Sequence, residues 1–238
     1  MVSRLAVVFF ALNAFSVCCA QDLESGASSA AGTLDSDREL EFNVYVPKGY
    51  EPAVPAGLLV YVSPIDSGAI PESWKGVFDQ RNMIWVGING SGNTKPDRQR
   101  IAETKLARSY ILKDFEIDPE RTYIAGMSGG GQISSITASL YPELFRGGIF
   151  LCGVNPWSES DVDPWVKNPP ENIDAIRQNR YVFVSGTEDF KLAATARVYR
   201  TYKKAGIDNS RLIVIDGMGH ELPDARTFSK ALQFLDGL

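Results

Sequence analysis

Histidine and cysteine are scarce in this chain: among 238 residues there is one His and there are three Cys. Protein zinc sites are usually tetrahedral and built from cysteine and histidine. With Cys18 and Cys19 set aside as part of an N-terminal export segment, one histidine and one cysteine cannot furnish such a set, and no loop has the carboxylate spacing of a calcium site, so neither a metal nor a cofactor is expected. A basic excess is also missing. Lys and Arg total 24 against 29 Asp and Glu, a formal charge of −5, and phosphate binding needs a concentrated cationic surface, so a nucleic-acid partner is not expected. Residues 95–108 collect several cations but interleave Asp97 and Glu103, which reads as a solvated helix face. The apolar run over 5–17 is too short to span a bilayer, and stable membrane insertion is not expected either.

That run, preceded by Arg4 and followed by Cys18-Cys19-Ala20, has the make-up of a signal peptide over 1–20, implying a secreted or periplasmic protein. A lipid anchor would need small residues before the cysteine, and Phe15-Ser16-Val17-Cys18 fits that poorly. Without residues 1–20, Cys152 is the single cysteine. No internal disulfide can then form, and a lone thiol closing an apolar stretch reads as small buried filler rather than a nucleophile. Residues 21–38, rich in Ser, Gly and Ala, read as a flexible leader, and 39–238 as one domain.

Within 39–238, short apolar runs alternate with longer amphipathic ones. Residues 41–46, 58–62, 83–88, 122–125, 148–152, 181–185 and 211–215 read as strands, and 98–115, 132–141, 192–205 and 225–235 as helices. Several strands are apolar throughout, as strands covered on both faces must be. The fold class is α/β, three layers around a mostly parallel sheet. Residues 154–170, with Trp157, Trp165 and several prolines, are too long for a plain connection and read as an insertion over one sheet edge.

The chemistry gathers at Gly126-Met127-Ser128-Gly129-Gly130. A G-x-S-x-G pentapeptide arises by chance about 0.15 times in such a chain, so its flanks decide. Here a strand candidate precedes it and a helix candidate follows, the strand–turn–helix that lifts a serine hydroxyl above a sheet edge. The Gly129 N–H, at the helix start, is placed to donate to an oxyanion. A serine hydroxyl needs a base, and the one histidine, His220, lies in a glycine-flanked loop after the last strand. The orienting acid comes between them in chain order: Asp189, in the turn after strand 181–185, with Glu188, Asp163 and Asp216 as weaker rivals.

These residues, with Tyr45-Val46-Pro47-Lys48-Gly49-Tyr50, Asp118-Pro119-Glu120-Arg121 and Gly219-His220, resemble the α/β-hydrolase superfamily, in particular its secreted polyhydroxybutyrate depolymerase-like and feruloyl esterase-like branch. The resemblance implies an α/β-hydrolase fold and ester hydrolysis through an acyl-enzyme, on a small or polymeric ester. Such esterases usually carry His-Gly after the third strand for half of the oxyanion hole. Here Ser63-Pro64-Ile65 stands there and Pro64 has no N–H, leaving the Ile65 N–H or the Ser63 hydroxyl as second donor. Asn89, in Asn89-Gly90-Ser91-Gly92-Asn93, and Trp157 are candidates for substrate contact. A peptidase or acyl transferase on the same residues, and a secreted binding protein on a hydrolase scaffold, stay open. Acyl group, alcohol and oligomeric state depend on surfaces that motif spacing does not specify.

Overall fold

Residues 30–35, 38–155 and 170–238 are described by the structure, a computed structural model. The 1–20 signal segment, Trp157, Asp163 and Trp165, and nearly all of the 154–170 insertion lie outside the described residues.

All seven strand expectations correspond to strands: β2 (Arg38–Tyr45), β3 (Ala56–Val62), β4 (Met83–Ile88), β5 (Ile117–Met127), β6 (Gly147–Leu151), β7 (Arg180–Gly186) and β8 (Ser210–Ile215). An eighth, β1 (Ala30–Asp35), corrects the leader reading. It pairs antiparallel with β2, Ala30 opposite Phe42 and Thr33 opposite Glu39. An edge strand is held by backbone donors and acceptors, so it can form from residues with little to bury. The single sheet runs β1-β2-β4-β3-β5-β6-β7-β8, parallel from β4 onward.

β3, β4 and β6 are buried at every position because helices cover both faces. The predicted helices are α2 (Asp97–Ile111), α3 (Gly129–Leu140), α5 (Leu192–Lys204) and α6 (Ala225–Leu235). Two short ones, α1 (Lys75–Gln80) and α4 (Ile173–Gln178), carry too few residues to register a helical period. Strand alternation divides the core cleanly. Leu58, Val60, Val62 and Ile124 face α2, α3 and α5. Leu59, Tyr61, Trp85 and Ala125 face α1 and α6, where Trp74 stacks on Phe228 at 3.8 Å.

The solvated-face reading of 95–108 is corrected within α2. Arg100, Glu103 and Thr104 are buried against the sheet, and the polar face is narrower than charge counting suggests. At the start of α6 the Asp224 carboxylate accepts from the Thr227 N–H at 2.7 Å, satisfying one donor that the helix leaves open. Asp224→Ala should lower the unfolding free energy by about 1 kcal/mol, seen as a lower denaturant midpoint at unchanged slope.

Candidate active site

Four loops at the carboxyl ends of the parallel strands build the site. The first is the turn from β5 into α3, where Ser128 sits at φ 53 and ψ −119. That backbone is unfavourable for any residue with a Cβ, and it persists because the surroundings leave no alternative. A Cβ on Gly126 would overlap the Gly130 carbonyl, and one on Gly130 the Val62 carbonyl of the neighbouring strand. The glycines therefore permit the close crossing of strand and helix that the strained serine requires. Gly129 is the first residue of α3, and its N–H has no partner within the helix.

The second and third loops follow β7 and β8. His220 Nε2 lies 2.9 Å from Ser128 Oγ, and His220 Nδ1 lies 2.8 Å from Asp189 Oδ1. The three residues that the sequence suggested in chain order thus form one continuous hydrogen-bonded chain. Of the rivals, Asp216 bonds Thr187 instead, and Glu188 donates its backbone N–H to the Met218 carbonyl at 3.1 Å.

Burial on its own would raise the Asp189 carboxyl. Bonds from Ser185, from the Lys191 N–H, from His220 and from Cys152 outweigh it and hold the group below its ordinary value. The Ser185 hydroxyl donates to Oδ2 at 2.6 Å and the Lys191 N–H to Oδ1 at 3.0 Å. Ser185 was not anticipated. Its signal was present in principle, since a polar residue closes an otherwise apolar strand four positions before an acid.

The fourth loop, 63–68 after β3, is clamped to the loop after β4. The Gly90 N–H donates to the Asp66 carbonyl at 3.1 Å, the Gly92 N–H to the Asp66 carboxylate at 2.9 Å and the Asn93 N–H to the Pro64 carbonyl at 2.9 Å. Arg100, only 2% exposed, donates to the Ser63 carbonyl at 2.8 Å, the Ser91 carbonyl at 2.9 Å and Asn93 Oδ1 at 3.2 Å. Burial lowers its guanidinium from the usual value, opposed by Asp97 and Glu103. The expected second oxyanion donors meet each other here: the Ser63 hydroxyl is buried and accepts from the Ile65 N–H at 3.2 Å.

Asn89 is not brought to this cleft. Its Oδ1 accepts from the Asn43 side chain and the Gly68 N–H, and it lines a separate depression with Glu41, Lys95 and Gln99. Asn93, four residues on, lines the cleft instead, beside Gly129. The cleft at Ser128 is a cavity of about 390 Å³ with polar walls supplied by Asn93, Asp97, Arg100, Gln132, Asn155 and Lys191. Phe190, 73% exposed, stands beside the candidate site's imidazole, its ring 4.4 Å from that of His220.

Among the described residues, Cys152, Asp189 and His220 form the one group of three potential metal ligands close enough to share an ion. A thiol must lose its proton to ligate, and burial beside Asp189 pushes Cys152 up to about 12. Asp189 and His220 are meanwhile committed to each other, so the trio fits a hydrogen-bonded network better than a cation site.

A profile of the prolyl oligopeptidase family matches residues 89–237, from the end of β4 through α6. The chain belongs to the prolyl oligopeptidase family. Its eight-stranded, mostly parallel sheet has the α/β-hydrolase fold, in agreement with the resemblance read from its motifs. Acetylxylan esterase A of Aspergillus ficuum is 26% identical over 124 residues, covering 47% of this chain and 39% of that protein. The chain therefore spans about two fifths of the length of that curated relative. Solved structures share the fold, among them the following two. The feruloyl esterase module from Clostridium thermocellum, complexed with sinapinate, superposes with a TM-score of 0.68 at 14% identity, covering 88% of both chains. Dipeptidyl peptidase 4 of Porphyromonas gingivalis gives 0.63 at 16% identity, covering 88% of this chain and 35% of that one.

Proposed function

We propose that the chain is a serine-dependent carboxylic ester hydrolase working through an acyl-enzyme. The carrying observation is the unbroken chain from Ser128 Oγ through His220 to Asp189, at 2.9 and 2.8 Å. Ser128 Oγ attacks the ester carbonyl while His220 Nε2 takes its proton, and ionised Asp189 stabilises the imidazolium. The carbonyl oxygen becomes an oxyanion facing the Gly129 N–H at the positive end of α3. The Ile65 N–H supplies the second bond by leaving the Ser63 hydroxyl, since a charged acceptor outcompetes a neutral one at 3.2 Å. Collapse breaks the C–O bond, and His220 returns the proton to the departing alcohol. Water, deprotonated by the same nitrogen, then releases the acid and restores Ser128.

The carboxamide and charged groups around the cleft favour an ester whose alcohol bears hydroxyls, such as an O-acyl carbohydrate, small or polymeric. The names of the relatives, acetylxylan and feruloyl esterase, support that direction. The apolar run over 5–17 supports an exported enzyme, and among the described residues no helix is long and apolar enough to cross a membrane.

Peptide hydrolysis is the second reading, favoured by the family match. Parallel assays on p-nitrophenyl acetate, an acetylated xylo-oligosaccharide and aminoacyl p-nitroanilides separate the two. The ester reading expects kcat/KM on both esters to exceed that on the anilides. Anilide turnover at or above ester turnover would overturn it, and absence of turnover on all three would leave a binding protein on this scaffold.

A further inference from the structure

Cys152 is unused by the mechanism above, yet it lies where three of the site's segments meet. It follows β6 at φ 49, a left-handed backbone that only glycine adopts without cost. Its own N–H donates to the Val184 carbonyl of β7, the strand that leads to Asp189, at 2.8 Å. On the other side, the Ser128 N–H donates to the Leu151 carbonyl at 2.8 Å, and Gly153 packs directly against the Ser128 carbonyl. The backbone thus ties Cys152 to both the serine turn and the acid's strand.

The side chain reaches the third segment. Sγ lies 3.3 Å from the Glu221 carbonyl oxygen and 3.9 Å from that of Gly219, the two residues that flank His220. It also lies within 4.8 Å of the ligating atoms of Asp189 and His220. Burial, reinforced by Asp189, pushes the thiol up to about 12. It therefore keeps its proton at neutral pH and acts as a donor rather than a nucleophile.

We propose that Cys152 is a positioning residue, whose thiol, packed against the Gly219–Glu221 backbone and donating its one proton to the nearer Glu221 carbonyl, sets the height of the imidazole between Ser128 and Asp189. The inference rests on the reading of those three residues as the reacting group. An S–H···O bond is individually weak. Its leverage is geometric, because a misplacement of about 1 Å at a reacting group costs on the order of a hundredfold in rate.

The test compares wild type, Cys152→Ala and Cys152→Ser by p-nitrophenyl acetate kinetics, by the rate of labelling with a fluorophosphonate and by thermal melting. Alanine removes the donor and the bulk, and should lower kcat and the labelling rate together by about tenfold at unchanged KM. Serine restores a donor and should recover to within about threefold of wild type. Alanine at the wild-type rate overturns the proposal. So does an equal loss in both variants that follows the unfolded fraction in the melts, since that is mere structural damage. Wild type that neither turns over ester nor labels would instead sink the underlying reading of Ser128 and His220, an outcome distinct from a normal wild type with indifferent Cys152 variants.

Discussion

Ser128→Ala should reduce kcat on p-nitrophenyl acetate by about a millionfold, leaving only what binding and the oxyanion donors provide. The size follows from the division of labour within the triad. Once the hydroxyl is gone, His220 has nothing to activate and no acyl-enzyme can form. Fluorophosphonate labelling should vanish in the same variant, while melting stays near wild type, because alanine at φ 53 is strained about as much as serine. Residual hydrolysis above about a hundredth of wild type would mean that another group carries the chemistry.

Asp189→Asn should cost about 10⁴ in kcat with little change in KM. The shape is kept, but an amide presents an N–H where Nδ1 of His220 needs an acceptor, and it cannot balance the imidazolium. Glu188→Gln, one residue away and on an exposed turn, should change neither constant. Equal effects at the two positions would remove Asp189 from the mechanism. Acid also separates the Asn variant from wild type. Bonds from Ser185, Lys191 and His220 hold the Asp189 carboxyl low in the folded state. Its ionisation thus stabilises the fold fully above the unfolded value of about 3.9, and that contribution is lost as the pH falls through the lower folded value. Melting midpoints of the Asn variant should therefore fall less steeply on the acid side than those of wild type.

The strands were legible because burial on both faces writes itself as uninterrupted apolar runs, as in Leu58-Leu59-Val60-Tyr61-Val62. Ser128 was legible because a tight turn demands glycines at fixed offsets, and His220 because no other imidazole exists to serve as base. What escaped were contacts whose geometry is set by distant segments. Arg100 looked like any charge on an amphipathic helix. Its burial under the Ser63 and Ser91 carbonyls follows from the way the loops after β3 and β4 fold over α2, which no local pattern encodes. Asn89 and Asn93 look equivalent in sequence. One caps a strand end by bonding Asn43 and Gly68 while the other faces the cleft, because the intervening Gly90 at φ 64 reverses the chain. The short helices α1 and α4 escaped for want of a full period.

The pairing of β1 with β2 bears on which edge the sheet presents to solvent. β2 carries buried Leu40, Phe42 and Val44, and its outer row of backbone groups is occupied by residues 30–35. A chain begun at residue 39 would keep every residue of the candidate site yet bare an unpaired, aromatic-bearing strand, ready to recruit another molecule edge to edge. Those unassuming Ala, Gly and Thr residues keep the outer row of β2 paired, and a shortened enzyme meant for work at high concentration should retain them.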